Sequence, residues 1–225
     1  MWNKLRRGFA MVLLSMAAGV LVWAFVPAKR QVMMATLSPA DMQLKPDGGG
    51  NSPAILGSRL VMVEWPSVMR IADRYWMELD FSQLDDGLSL TEQPAGFSDA
   101  YEDYNLMAEA RFEVAGIRVE PSNPTRQSMP RGQSLKFKWQ LTATQPGTYD
   151  GTLWLSLRFL PLDGSPPSQQ PVYVQKVRLT TTRLVGMSAP VARWTGGVGA
   201  LLGIVLLFGD MIGWFRRSKH TLRIH

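Results

Sequence analysis

Ser134-Leu135-Lys136-Phe137-Lys138-Trp139-Gln140-Leu141 sets Leu135, Phe137, Trp139 and Leu141 on one side of an extended chain and Lys136, Lys138 and Gln140 on the other. Successive strand side chains point to opposite faces, so this alternation predicts a strand with one face in a core and one in water. Gly151 to Leu160 repeats it, with Leu153, Leu155, Leu157 and Phe159 opposite Thr152, Trp154, Ser156 and Arg158. Pro146-Gly147 predicts the turn between these two strands. Tyr75 to Phe81 and Leu106 to Val114 alternate in the same way, and shorter runs read as strands at Leu60 to Trp65, Val68 to Ile71, Ile117 to Glu120 and Val172 to Thr182. About eight short strands bounded by Gly, Pro and Asn, with no convincing helix among them, predict antiparallel sheets packed face to face. The expected fold is an all-β sandwich over 58–186.

Three irregular stretches interrupt the strands: Ser82 to Tyr104, which is acidic, Glu120 to Gly132, and Asp163 to Pro171, which predicts a long hairpin loop before the last strand. Residues 27–57 hold Pro39, Pro46, Gly48-Gly49-Gly50 and Pro53 without sustained periodicity, which predicts a flexible stalk. No internal repeat is present.

Outside this β-rich part lie two apolar runs, Gly8 to Val26 and Trp194 to Trp214. A helix of about 20 apolar residues crosses roughly 30 Å of hydrocarbon, so both are expected to be transmembrane helices, over 8–26 and 194–214. Trp2, Trp23, Trp194 and Trp214 stand beside or at the ends of the runs, where an indole favours the headgroup layer. Lys4, Arg6 and Arg7 precede the first span, and Arg216, Arg217, Lys219 and Arg223 follow the second. By the positive-inside rule, residues 1–7 and the basic tail 215–225 are cytoplasmic and the sandwich is extracytoplasmic, in a two-pass protein of the cytoplasmic membrane. A linker over 187–193 joins sandwich to second span. Arg6-Arg7-Gly8-Phe9 also resembles a twin-arginine export signal, but the run is longer than a usual signal core and ends in Trp23 and Phe25 without a small-x-small cleavage site.

The net charge of +6 comes entirely from the membrane flanks: residues 31–190 carry 14 Lys+Arg against 17 Asp+Glu, and the rest carries 10 against 1. Lipid headgroups are the partner this implies. Nucleic acid is not, because phosphate neutralisation needs a clustered basic face on the folded domain. With no cysteine in the chain, disulfides, thiolate catalysis and sulfur-ligated metals are excluded. The two histidines, His220 and His225, fall in the tail, so neither a histidine triad nor a histidine zinc site belongs to the sandwich. No phosphate loop, nucleophile elbow or dinucleotide fingerprint occurs, and no cofactor is expected.

Lys136 to Leu141, followed by Pro146-Gly147-Thr148-Tyr149-Asp150-Gly151-Thr152-Leu153-Trp154-Leu155, resembles the paired late strands of bacterial membrane-anchored extracytoplasmic immunoglobulin-like domains over about 60 residues. The resemblance implies an immunoglobulin-like sandwich acting in recognition or assembly rather than catalysis. The paired cysteines of the antibody type are missing.

Candidate site residues follow. Asp99, Glu102 and Asp103 form the densest acidic cluster and are the candidate calcium ligands, though an ordinary solvated loop has the same composition, and Asp85-Asp86 are a lesser pair. Two acids meeting across strands would be needed for a carboxylate-dependent enzyme acting on envelope glycans. Trp154, opposite the leucine face of its strand, is a candidate anchor for a protein partner. On the second span Gly196, Gly199, Gly203 and Asp210 fall within about 60° of one another, a smooth stripe for close helix packing. The first span offers Gly8, Ser15, Ala18 and Gly19 as the facing surface. Asp210 lies within a turn or two of Arg216 and Arg217, where pairing and snorkelling accommodate its charge, and the first span holds no acid or base to complete a proton relay. Two non-enzymatic roles follow: a membrane-anchored protein-recognition or assembly module, or an accessory subunit of a transporter or energy-converting complex whose helices carry the contacts.

Overall fold

The computed structural model of the chain describes residues 2–44, 52–84, 97–184 and 186–218, with side chains from 5 to 44, 53 to 84, 98 to 184 and 186 to 208. Two compact units divide it, one of Met1–Pro27, Arg70–Asp73 and Thr182–His225, the other of Ala28–Met69 and Arg74–Thr181.

The second unit is a β-sandwich. Its strands are β1 (Arg30–Leu37), β2 (Ser52–Ala54), β3 (Arg59–Pro66), β4 (Val68–Arg70), β5 (Arg74–Gln83), β6 (Phe97–Asp99), β7 (Tyr104–Val114), β8 (Ile117–Glu120), β9 (Thr125–Ser128), β10 (Leu135–Ala143), β11 (Gly147–Pro161) and β12 (Ser168–Thr182). One sheet has the order β1-β3-β5-β10-β8 and the other β4-β12-β11-β7-β9, while β2 and β6 form a small parallel pair. All eight strands read from the alternation are present. Their apolar faces make a single core in which Met77, Leu79, Phe81, Phe137, Trp139, Leu153, Leu155, Leu157 and Phe159 are almost fully buried. Each such side chain contributes roughly 1.5–3 kcal/mol on leaving water.

Four expectations change. The stalk over 27–57 is not a tether at its start, because Arg30–Leu37 pairs antiparallel with β3 from Arg30↔Pro66 to Leu37↔Arg59. A 3₁₀ turn, Pro39–Met42, follows with Met42 buried. The run Gln31-Val32-Met33-Met34-Ala35-Thr36-Leu37 has no polar alternation, because an edge strand leaves both faces partly open; the proline-rich surroundings hid it.

The second change concerns the resemblance. β10 and β11 are not paired with each other: β10 lies between β5 and β8, and β11 between β12 and β7, in the other sheet. Two consecutive amphipathic strands bury their leucine faces equally well side by side or across the core, and alternation alone does not separate the cases. The Pro146-Gly147 connection therefore crosses between the sheets. It is held by Tyr149, whose hydroxyl donates to the Gln145 carbonyl at 3.1 Å, and by Thr181, whose hydroxyl donates to the same oxygen at 2.7 Å.

The expected hairpin before the last strand is present, but β12 starts at Ser168, so its loop is shorter than 163–171. A bulge at Leu155/Ser156 takes up the register.

The first unit is a helix hairpin of α1 (Trp2–Phe25) and α3 (Ala189–Ser218), with the turn Arg70–Asp73. The short helix α2 (Ala100–Asp103) belongs to the other unit. α3 starts at Ala189, not Trp194, which absorbs most of the expected linker over 187–193. Pro190 stands in the first helical turn, where a missing N–H leaves no bond unmade. The Ala189 N–H instead donates to the Ile71 carbonyl at 3.2 Å.

Candidate functional site

The hairpin is packed on its smallest residues. Ala10, Ala17 and Ala24 of α1 are buried at intervals of seven, and Ala189, Ala192, Gly196 and Gly203 of α3 are buried at spacings of three, four and seven. Such spacing keeps one face toward an antiparallel neighbour along its length. The glycines admit leucines: a Cβ on Gly196 would stand 2.8 Å from Leu21 Cγ, and one on Gly203 would stand 2.6 Å from Leu14 Cγ. At Gly199 the same atom would meet Ala17 Cβ at an ordinary 3.4 Å. Leu14 and Leu21 are thus knobs seated in notches that only glycine leaves open.

Of the residues expected on the facing side of α1, Gly8, Ser15, Ala18 and Gly19 are all exposed, and a Cβ on Gly8 or Gly19 would touch nothing within 4 Å. At 100° per residue Gly8, Ser15 and Gly19 lie about 140–200° round the helix from Ala10. The first helix carries two small-residue faces, and the one flanked by leucine knobs is used. Asp210 falls within α3 but outside the described side chains.

Arginines close both ends of the hairpin. Arg6 donates to the Leu206 carbonyl at 3.2 Å. At the other end Arg193 donates to Asp73 at 2.6 Å and to the Ala24 carbonyl at 3.4 Å, while Arg70 donates to the Val26 carbonyl. Arg70 lies over the Trp23 ring at 5.2 Å and Arg193 over Phe25 at 5.5 Å. Cations here satisfy carbonyls that the end of α1 leaves without intrahelical partners. Nothing in the sequence around Arg70 or Asp73 signals this; only the fold brings the turn to the helix ends.

On the outer face of β7, β11 and β12, Trp154 is exposed to 40% of its surface and lies between Arg111 and Val174 of the flanking strands. It lines a hollow of about 300 Å³ with Glu109, Arg111, Glu113, Ser156 and Gln169. Glu109 is the hub, accepting from Arg126 at 2.5 Å and Gln169 at 3.1 Å, with Arg158 at 3.8 Å. Burial opposes its charge, but these hydrogen bonds and neighbouring cations outweigh that and hold its carboxyl below the usual glutamate range. Arg111 is paired with Glu113 beside it.

The acidic stretch is organised for structure. Asp99 caps α2 by accepting from the Tyr101 N–H at 3.0 Å, and its other oxygen takes Arg131 at 2.6 Å. Glu102 and Asp103 are exposed, and no group of three or more potential metal ligands forms among the described residues. Asp85 and Asp86 lie outside the described residues. Tyr101 also meets Arg59, a residue only 2% exposed whose guanidinium donates to the Gln133 carbonyl at 2.8 Å and covers the Phe81 ring at 5.4 Å. Burial lowers the Arg59 pKa and raises that of Tyr101.

No protein-family model and no curated protein matches the chain. Among solved structures it is similar to the CARDB domain of a Pyrococcus furiosus protein at 10% identity and TM-score 0.29, covering 53% of this chain and 84% of that one. It is similar to AggA, the major subunit of aggregative adherence fimbriae type I from Escherichia coli, at 10% identity and TM-score 0.30, covering 70% and 98%. The soluble domain of PmoD from Methylocystis matches at 13% identity and TM-score 0.18, covering 70% and 95%. At these values the architecture rests on the strand pairing of this chain itself.

Proposed function

We propose that the protein is a non-enzymatic, membrane-anchored recognition or assembly module, held in the cytoplasmic membrane by α1 and α3 with both termini inside and the sandwich outside. The anchoring rests on two helices long and apolar enough to cross a membrane. Their large residues Phe9, Met11, Met16, Val22, Leu201, Val205 and Phe208 are exposed while Ala10, Ala17, Ala24, Gly196 and Gly203 are buried. That inside-out distribution suits lipid as solvent and not water.

The observation that carries recognition is the contrast among the four sheet edges. β8 and β9 are four residues long and carry Arg118, Glu120 and Arg126, and the three-residue β4 lies along only the end of β12, whose remaining edge carries Pro171 and Lys176. β1 is eight residues long, uncharged from Gln31 to Leu37, with Val32, Met33 and Met34 exposed to 53, 41 and 62%. Unpaired edges of soluble sheets are normally shortened or charged, because an open apolar edge takes up any passing strand. We assign β1 to pairing with an extended, uncharged strand of a partner protein.

The test is Val32→Lys with Met34→Lys in the full chain, purified from native membranes in mild detergent. The expected outcome is loss of the co-purifying species at unchanged melting temperature, with Arg118→Ala on β8 as the silent control. Retention of the complex by the charged edge refutes the assignment.

A second reading, the accessory subunit, is favoured by the small face that α1 leaves uncovered at Gly8, Ser15, Ala18 and Gly19. Spans expressed without residues 31–186 separate the two: assembly that survives belongs to the helices. A carboxylate enzyme finds little support, since Glu109 is tied to Arg126 and Gln169 and held ionised.

A further inference from the structure

We infer that the hollow around Trp154 is a binding site for a neutral saccharide, a function separate from strand pairing at β1 and not dependent on it. Three properties of the hollow select the ligand. Its apolar element is small: Trp154, exposed to 40%, with Val174 opposite it on β12 exposed to 47%, is surrounded by Glu109, Arg111, Glu113, Ser156 and Gln169. A protein partner needs on the order of 800 Å² per side, with anchors ringed by further contacts that exclude water. An apolar patch of two side chains is the size of one sugar ring.

Its polar rim is also already positioned. Glu109 is fixed by Arg126 and Gln169, and Glu113 by Arg111, so carboxylate, guanidinium and amide planes stand round the indole with unused lone pairs and N–H groups. A pyranose presents the complement: C–H groups on one face for an aromatic ring, and hydroxyls at its edge that donate and accept at once. Finally, each carboxylate is paired, Glu113 with Arg111 and Glu109 with Arg126 and Arg158, which leaves these five groups a net charge of +1. A cationic ligand finds no unpaired carboxylate there, whereas a neutral polyol gains hydrogen bonds to charged groups without surrendering a charge of its own. The volume of about 300 Å³ accommodates a sugar ring with its hydroxyls.

The experiment uses the full chain in phosphatidylcholine nanodiscs, avoiding sugar-headed detergents, with tryptophans labelled as 5-fluorotryptophan. The probes are maltotetraose, cellotetraose and chitotetraose up to about 20 mM, since single-site sugar recognition falls around the millimolar range. The fluorine resonance lost in Trp154→Phe is expected to shift saturably with at least one probe. Gln169→Ala or Glu113→Gln is expected to weaken that binding at least threefold, and Trp154→Ala to lower it tenfold or more in calorimetry. Trp76, exposed on the other sheet, supplies the control resonance and stays unmoved. No saturable shift with any probe, an equal shift at Trp76, or unchanged affinity in both rim variants overturns the proposal. So does loss of a co-purifying protein in Trp154→Ala without sugar binding, which makes the hollow a protein contact. Failure here leaves the β1 assignment standing, because that is read from Val32 and Met34.

Discussion

The helix hairpin and the sandwich bury opposite kinds of residue. At the centre of the sandwich sit Trp139, Phe81, Phe137 and Phe159, and its wet faces carry Lys136, Lys138, Glu78 and Asp80. Between the helices sit Ala10, Ala17, Ala24, Gly196 and Gly203, while phenylalanine, methionine, valine and leucine cover the outside. In water, removing large apolar surface is what drives packing, and size is rewarded. In hydrocarbon an outward leucine is already at home, so association depends on how closely two backbones approach, and smallness is rewarded. The difference identifies the solvent of each unit more directly than length or hydropathy.

The largest effect expected from this contrast is in the sandwich. Phe81→Ala removes a fully buried ring that also supports Arg59, and the usual cost of such a truncation is about 3–5 kcal/mol. Thermal unfolding of the full chain, followed by near-ultraviolet circular dichroism, should lose its sandwich transition or drop it by 10 °C or more. The hairpin should be indifferent. A comparable loss from Phe9→Ala, on the exposed side of α1, breaks the comparison.

A smaller effect belongs to the helix seam, and here enlargement is the damaging change. The chain has no native cysteine, so Ala17→Cys with Gly199→Cys is a clean reporter of the hairpin. A Cβ at Gly199 would lie 3.4 Å from Ala17 Cβ, close to disulfide geometry. Adding Gly203→Leu or Gly196→Leu overpacks the notch by about 1–3 kcal/mol and should reduce oxidative cross-linking about tenfold. Gly8→Leu and Gly19→Leu should leave the yield unchanged. Equal loss from all four substitutions means that the seam has no preferred face.

What was legible in the sequence follows the same division. Strands with one wet face, such as Leu135 to Leu141 and Gly151 to Leu160, write their burial as alternation, and each lies where its pattern placed it. β1 wrote nothing, because an edge strand open on both sides imposes no period, and β9 and β2 lack the large apolar residues by which the equally short β4 and β8 could be read. Sheet membership was equally silent: nothing in Lys136 or Trp154 records that β10 and β11 lie on opposite sides of the core. In the helices the glycines of α3 marked the seam, since a missing side chain is visible in a sequence. Its partner face on α1 was ambiguous, because two stripes of small residues differ only in the leucines beside them. The groups gathered round Trp154 come from β7, β9, β11 and β12, and Arg193 and Asp73 stand 120 positions apart. No local spacing announces either.

The smallest effect is expected from acid, and it separates the two regions by chemistry instead of by size. Among the described side chains the seam from Ala10 to Ala24 and from Ala189 to Gly203 holds no carboxylate, whereas the outer face of the sandwich hangs on Glu109. Because its pKa in the folded protein lies below that of a free glutamate, its contribution to stability is complete above the unfolded-state pKa. That contribution is lost as the pH falls below the free-glutamate range, about 4.3, and on through the folded-state value. Glu109 is held by surface arginines, which limits the effect to about 0.2–1 kcal/mol. Urea unfolding of the sandwich should therefore show a midpoint that falls over this interval, and Glu109→Gln should flatten the fall without altering it above pH 6. The Ala17–Gly199 cross-link should form equally well on protein pre-equilibrated across the range and assayed at one pH. A midpoint that falls as steeply in Glu109→Gln shifts the acid response to other carboxylates of the sandwich, and with it removes Glu109 as the organiser of the face that holds Trp154.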